Sequence, residues 1–407
     1  MTLLSRTWKC LAAARRELCI IGGIMRVQKK TALLIVLAFF ISLLVFLFKV
    51  KDEMHDFEVN YIAGKRLRWA ETLYRYDDGH YMFKYLPSSA FLYLPIAYLP
   101  LNTAKAIWYG VILTAFVFMV HFSYSTLSDG RKTAHLLILP PLILLKFYLR
   151  ELTLGQINAL VTVVLLLMTR NLLPDEKKNP TKREIVAGCL WGLGIAMKPY
   201  AAIFLPYFVY KKKWRTLLCG LIFLGGAILS PAIFYGIEGN FIVLKEWYST
   251  LSKTTPGLLT TADNVSIIAL FAKWTGNPNQ SLLFSIGIIS VMALLFLILI
   301  LKGKDMPQAP VLECGLGLLL IPLISPLGWD YTLLMSTLAV MIIIQKFQLY
   351  STFWRIILII NLTMIFSMTY DLLGRELYTT IMHWCVTAFN FLILAGYLVF
   401  LRFKKIY

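Results

Sequence analysis

The sequence predicts an all-α polytopic membrane protein, and three observations carry that expectation. The chain is 59% hydrophobic and only 15% charged, where a soluble domain averages about 25% charged. Its apolar residues come in runs long enough to cross about 30 Å of hydrocarbon. Its cations, which leave a net charge of +19, sit in short tracts between those runs. That is the pattern of cytoplasmic membrane loops, not of a single basic face for nucleic acid, and no nucleic-acid partner is expected.

Taken in order, residues 1–31 read as a basic cytoplasmic arm. The stretch is too long and too evenly basic for a secretory leader, and no small-residue cleavage site precedes the first long apolar run. Long runs then fall at 32–49, 103–122, 134–149, 216–235, 282–301, 353–370 and 381–401, with shorter ones at 157–169, 184–197, 200–210, 311–325 and 331–345. Together they predict about twelve transmembrane helices in one domain over 32–401, followed by a cytoplasmic tail at 402–407. Alternating the runs from an inner N-terminus collects Arg131–Lys132, Lys177–Lys178, Lys182–Arg183, Lys211–Lys212–Lys213, Lys302–Lys304 and Lys404–Lys405 on the inner side.

Two outer stretches result. The first, 50–102, is expected to be helical, and its Pro-broken segment AFLYLPIAYLPL suits an interfacial helix. The second runs over 236–281. Gly and Pro interrupt the apolar runs near the outer face at Pro140–Pro141, Gly155, Pro199, Pro231 and Pro326–Gly328. Broken helices at membrane depth are tolerated where they line an enclosed cavity, so the breaks predict an outward-facing one.

Chemistry-bearing residues follow from that placement. Asp56 opens DFEVNYIAGKRL just after the first apolar run. Partial desolvation there would suit a general base, and an Asp at a helix start equally suits a cap. Among the loop's cations, Arg66 and Lys84 can meet a lipid phosphate or pair with neighbouring acids. Tyr61 and Tyr85 can stack on a sugar ring or anchor at the headgroups. Gln156, Asn158, Lys198, Asn264, Ser266, Ser325, Trp329 and Asp330 are polar or amphipathic groups at predicted outer helix ends. Such groups are costly in hydrocarbon, and they read either as a cavity lining or as caps. The five histidines show no ligand spacing, and the trio Asp52, Glu53 and Asp56 could at most hold one hard cation. No metal and no cofactor is expected. Six scattered cysteines form neither a CxxC pair nor a disulfide framework.

The segment from DFEVNYIAGKRL through LYRY to KYLPSSAFLYLPIAYLPLNTAKAIW resembles the front of glycosyltransferase family 87. GQIN, AGCLWGLGIAMKPYAAIFLPYFVYKKKWR, DNVSIIALF and LISPLGWDYTLLM follow in the family's order, from about Asp56 to about Met335. The resemblance implies a GT-C fold in a bacterial inner membrane. It also implies inverting transfer of a hexose, mannose above others, from a polyprenyl-phosphate-linked donor to a lipid or glycan acceptor on the extracytoplasmic face. The family's base aspartate falls on Asp56, and Lys198 with an outer-loop Arg or Lys would face the leaving phosphate. The chain departs from the family pattern at Asn60–Tyr61, at the single Pro87, and at Asp330–Tyr331, where members often carry a histidine after the tryptophan. Two rivals stand beside this reading. A transporter or flippase of lipid-linked glycans would show repeated halves, and a surface-glycan ligase or polymerase would use a large second outer loop.

Overall fold

The computed structural model describes residues 40–127, 132–175, 179–277, 284, 286–288 and 308–404. The predicted basic arm, most of the run at 282–301 and several inner-loop cations lie outside the described residues. Those residues are all-helical, with one isolated antiparallel bridge between Asn264 and Trp329. The chain divides into two units, Met1–Glu53 and Met54–Tyr407. In the first, α1 (Phe40–Val50) exposes Phe40, Ile41, Leu47 and Phe48, an apolar surface suited to lipid.

The second unit begins with α2 (His55–Arg68), whose buried Phe57, Asn60, Tyr61, Gly64 and Leu67 recur at helical spacing on one face. Short 3-10 turns at Pro87–Leu92 and Ile96–Tyr98 pack against it, so the stretch at 50–102 is largely helical, as expected. Two helices, α3 (Leu101–Thr126) and the last helix (Val386–Phe403), are long and apolar enough to cross a membrane alone. Counting two bent pairs as single spans gives four, and five shorter apolar helices accompany them.

The expected dozen full crossings is therefore not what length alone gives among the described residues, because Pro and Gly break the runs. The run at 134–149 splits at Leu144 into α4 (His135–Ile143) and α5 (Leu145–Leu154), where Pro140 and Pro141 remove backbone donors. α5 then turns through 117° into α6 (Asn158–Leu172). The run at 216–235 breaks at Ser230–Pro231, and α9 (Trp214–Leu229) meets α10 (Ala232–Leu258) at 91°. The first half of the stretch at 236–281 is thus part of a long helix. α10 exposes Ile233, Ile237 and Phe241 along one side and turns Leu251, Thr255 and Leu258 toward a cavity.

Between these breaks, α7 (Pro180–Met197) packs closely on α9. A Cβ at Gly188 would lie 2.4 Å from the Thr216 carbonyl oxygen, so small residues let the backbones approach, as they do in membrane bundles. Lys198, Pro199 and a 3-10 turn to Phe204 lead from α7 to α8 (Leu205–Tyr210). Further on, α11 (Ile267–Thr275), α12 (Ala309–Ile324) and a 3-10 turn over Asp330–Ser336 close the unit around a largely apolar interior. A cluster of Ala63, Leu67, Leu73, Tyr74, Phe83, Ala90 and Val243 joins the first outer stretch to α10. Tyr235 OH adds a hydrogen bond to the Glu71 carbonyl at 2.7 Å.

The corner at Gly155 is a tight break that bears on function. Its φ of +71° is left-handed, and a Cβ there would lie 2.6 Å from Phe57 Cβ on α2. Gly155→Ala is expected to lower stability by about 1–3 kcal/mol, through strain and overpacking together. Thermal unfolding of the purified protein in detergent checks this, and an unchanged melting temperature would contradict the close approach.

Candidate functional site

The start of α2, the segment at 81–85, the Gly155 corner, the Lys198 turn, the end of α10 and the 321–332 stretch surround one cavity of about 830 Å³. That volume suits a substantial ligand. Its polar end is built from few groups. Gln156 Nε2 donates to Asp56 Oδ2 at 2.7 Å and to Tyr331 OH at 3.2 Å. Gln156 Oε1 accepts from Lys198 Nζ at 3.0 Å and from Tyr85 OH at 3.2 Å. Lys198 Nζ also donates to Asn158 Oδ1 at 2.9 Å, which accepts from Tyr200 OH at 2.7 Å as well. Lys198 is 6% exposed and bonds two neutral amide oxygens, so neither bond neutralises its charge.

The local fold explains this convergence. A left-handed glycine ends α5, and Trp108 Nε1 holds its carbonyl at 2.8 Å. The chain emerging from the corner therefore presents Gln156 and Asn158 at the start of α6. α7 ends at Met197, two residues before Pro199, and the extended Lys198 between them (φ −148°, ψ 121°) has the conformation that proline imposes on its predecessor. Lys84 also lines the cavity. Burial pulls its ammonium below the ordinary lysine range, with the Asp56 carboxylate pulling the other way. Burial pushes the Tyr85 phenol up.

A second charged cluster also borders the cavity, with Arg150 and Asp263 in its lining. Arg150 donates to Asp330 Oδ1 at 2.6 Å and to Asp263 Oδ2 at 2.9 Å. Lys146 Nζ lies 3.2 Å from Asp330 Oδ2, close enough for charge pairing but poorly aligned for a hydrogen bond. Burial raises the Asp263 carboxyl, but the Arg150 guanidinium outweighs it and holds the group below the usual carboxylate range.

The predicted site residues divide. Asp56, Lys84, Tyr85, Gln156, Lys198, Ser325 and Trp329 line the cavity, and Asn158 lies directly behind it, 0% exposed. Five others are placed elsewhere. Tyr61 is buried with its OH on the Leu99 carbonyl at 2.7 Å, which satisfies its polar end within the packing. Arg66 grips Asp78 through both terminal nitrogens, and this hydrogen bond and charge raise the guanidinium further. Asn264 and Ser266 shape the turn instead: Asn264 Nδ2 donates to the Pro326 carbonyl at 3.0 Å, and Gly328 N donates to Asn264 Oδ1 at 3.2 Å. Ser266 caps α11 by accepting from Ala269 N at 3.0 Å. Asp330 is fully buried and committed to Arg150 and Lys146, because buried cations need a counter-charge. Among the described residues no three His, Cys, Asp or Glu side chains cluster as metal ligands would.

Sequence reasoning passed over Lys146, Arg150, Glu151, Tyr200 and Asp263, and named Tyr331 only as a departure from the family pattern. One signal was present. Lys146, Arg150 and Glu151 interrupt the apolar run LILLKFYLRELTL, and ionisable groups inside such a run are expensive.

This fold and site define a membrane-embedded helical protein with a polar-ended cavity. The profile of glycosyltransferase family 87 matches residues 83–326, more than half of the chain. The chain belongs to that family and is a glycosyltransferase. The match takes in Lys84, Tyr85, Gln156, Asn158, Lys198 and Arg150, while Asp56, Tyr61, Arg66, Trp329 and Asp330 lie outside it. No curated protein and no solved structure matches the chain.

The Asp263–Arg150 pair carries a pH dependence. Asp263 has its folded value below its ordinary one. Its stabilising effect is then fully present above about pH 4 and lost as pH falls through the lowered value. Asp263→Asn is therefore expected to melt earlier than the parent at pH 7, with the gap closing on acidification. A gap independent of pH would show that the charge does not matter there.

Proposed function

We propose that this glycosyltransferase moves a sugar, mannose as first candidate, from a polyprenyl-phosphate donor to a hydroxyl of a lipid or glycan acceptor on the extracytoplasmic face. The observation that carries the reading is that one carboxylate and one buried ammonium, Asp56 and Lys198, face the same cavity and share Gln156 between them. A single displacement with inversion needs both. Asp56 takes the acceptor's hydroxyl proton as the acceptor oxygen bonds to the anomeric carbon. The bond from that carbon to the phosphate oxygen breaks on the opposite side, and its electron pair leaves with the polyprenyl phosphate. Lys198, with Lys84 nearby, offsets the charge that develops there.

The remaining walls fit a lipid-linked sugar. Trp329 and Tyr331 stack at 6.5 Å with planes 12° apart, a flat aromatic surface of the kind sugar rings lie against. Leu251, Leu258, Ile321 and Ile324 give an apolar side for the prenyl chain. The cation-rich inner loops support placing the cavity outside.

Asp56→Asn is expected to cut transfer from polyprenyl-phosphomannose about 100- to 10,000-fold, the usual worth of a positioned general base. Lys198→Ala should weaken donor binding as well. A wild-type rate in Asp56→Asn removes the mechanism, and transfer from a nucleotide sugar but not from the prenyl donor removes the donor class. Orientation has its own check. In intact cells a membrane-impermeant maleimide should label a cysteine replacing Asp77 and should label one replacing Lys212 only after lysis; the opposite pattern inverts the topology.

A further inference from the structure

Glu151 takes no part in the steps above, yet its carboxylate is 0% exposed behind the cavity wall and both of its oxygens are committed. Oε2 accepts from Asn158 Nδ2 at 2.6 Å, and Oε1 accepts from Ala159 N at 2.9 Å. An asparagine amide can present either its oxygen or its NH2 to a neighbour. With the NH2 of Asn158 held by Glu151, Oδ1 must face the other way, toward Lys198 Nζ and Tyr200 OH. Lys198 can only donate. Its second bond therefore turns the carbonyl end of Gln156 toward itself and the NH2 end onto Asp56 Oδ2. The buried carboxylate thus fixes the direction of Asn158 and, through the place Asn158 gives Lys198, bears on that of Gln156. The carboxyl group also faces the Lys198 ammonium across a single amide.

We propose that Glu151 is a positioning residue for sugar transfer: through Asn158 it sets the place and charge of Lys198, and through Gln156 it sets the hydrogen bond received by Asp56. The proposal rests on the roles given to Asp56 and Lys198 above. The titratable groups facing Lys198 are Asp56 from α2, Glu151 from α5, Tyr85 from the first outer stretch and Tyr200 from its own turn.

The test compares Glu151→Gln, Glu151→Asp, Tyr200→Phe and Asp56→Asn in the purified full chain, reading sugar transfer, its pH profile and binding of farnesyl phosphate as the probe. Gln fills the volume of Glu without its charge, whereas Asp keeps the charge and gives up a methylene. Glu151→Gln is expected to lower kcat about 10- to 100-fold, the cost of a small misplacement at a reacting centre. It should weaken farnesyl phosphate about tenfold, as expected for a displaced charge-assisted contact. The alkaline limb of its pH profile should move to lower pH, because Lys198 loses a facing anion. Glu151→Asp should retain more of each property than Glu151→Gln.

A packing role predicts the reverse ranking, and Gln performing as well as Asp overturns the proposal. So does wild-type phosphate binding with an unmoved pH profile in Glu151→Gln. Asp56→Asn separates the two levels: it should cut transfer about 100- to 10,000-fold and weaken farnesyl phosphate binding far less, since a base contributes chiefly to the transition state. If it transfers normally, the base assignment falls, while the binding comparison still decides Glu151. If Glu151→Gln does not fold, Tyr200→Phe removes one of the two donors on Asn158 Oδ1. It should move binding and rate the same way by less, and an unchanged protein would overturn the proposal.

Discussion

The left-handed corner at Gly155 is the constraint on which the site depends. A helix that stops inside a membrane protein leaves carbonyls and amides needing partners, and here those needs shape the cavity. The Glu151 backbone carbonyl accepts from Gln156 N at 3.0 Å, and the indole of Trp108 takes the Gly155 carbonyl. The Glu151 side chain reaches forward to the start of α6. Because Gly155 has no side chain, Phe57 can lie against it, which brings Asp56, one residue earlier, onto Gln156. A straight helix through this point would not turn Gln156 and Asn158 toward Lys198.

Charge is handled differently in the two polar groups at the cavity, and the difference is physical. In one, Lys146, Arg150, Asp263 and Asp330 form a set of two cations and two anions whose contacts are mutual. Such a set ties α5 to the 263–266 turn and the 330–336 turn, but it offers little net charge to a ligand. In the other, Lys198 rests on amides, which hold a cation in place without neutralising it. A group arranged in that way can still attract an anion, and this is why the phosphate reading falls on Lys198 and not on Arg150.

Much of this was legible in the chain, and the parts that were not have specific causes. The breaks at Pro140–Pro141, Gly155, Pro199 and Pro231 are written in residues whose backbone limits hold in any context, so they were readable one by one. Asp56, Gln156 and Lys198 were readable because polar groups beside apolar runs stand out. Tyr61, Arg66, Asn264, Ser266 and Asp330 stood out on the same ground, and each is occupied by a local partner: the Leu99 carbonyl, Asp78, the Pro326–Gly328 turn, the α11 cap and Arg150. Polarity marks a residue as needing a partner but does not say which partner it finds.

The sequence by itself determined the helical membrane class, the places where helices must stop, and the family, because composition, proline and glycine constraints and ordered motifs are properties of the chain. Tertiary structure alone decided which polar residues share a cavity and which way Asn158 and Gln156 face. It also decided that Glu151 stands behind Lys198. Those facts depend on distances between segments as far apart as Asp56 and Lys198, set by a 117° turn and by one missing Cβ, and no local periodicity records either.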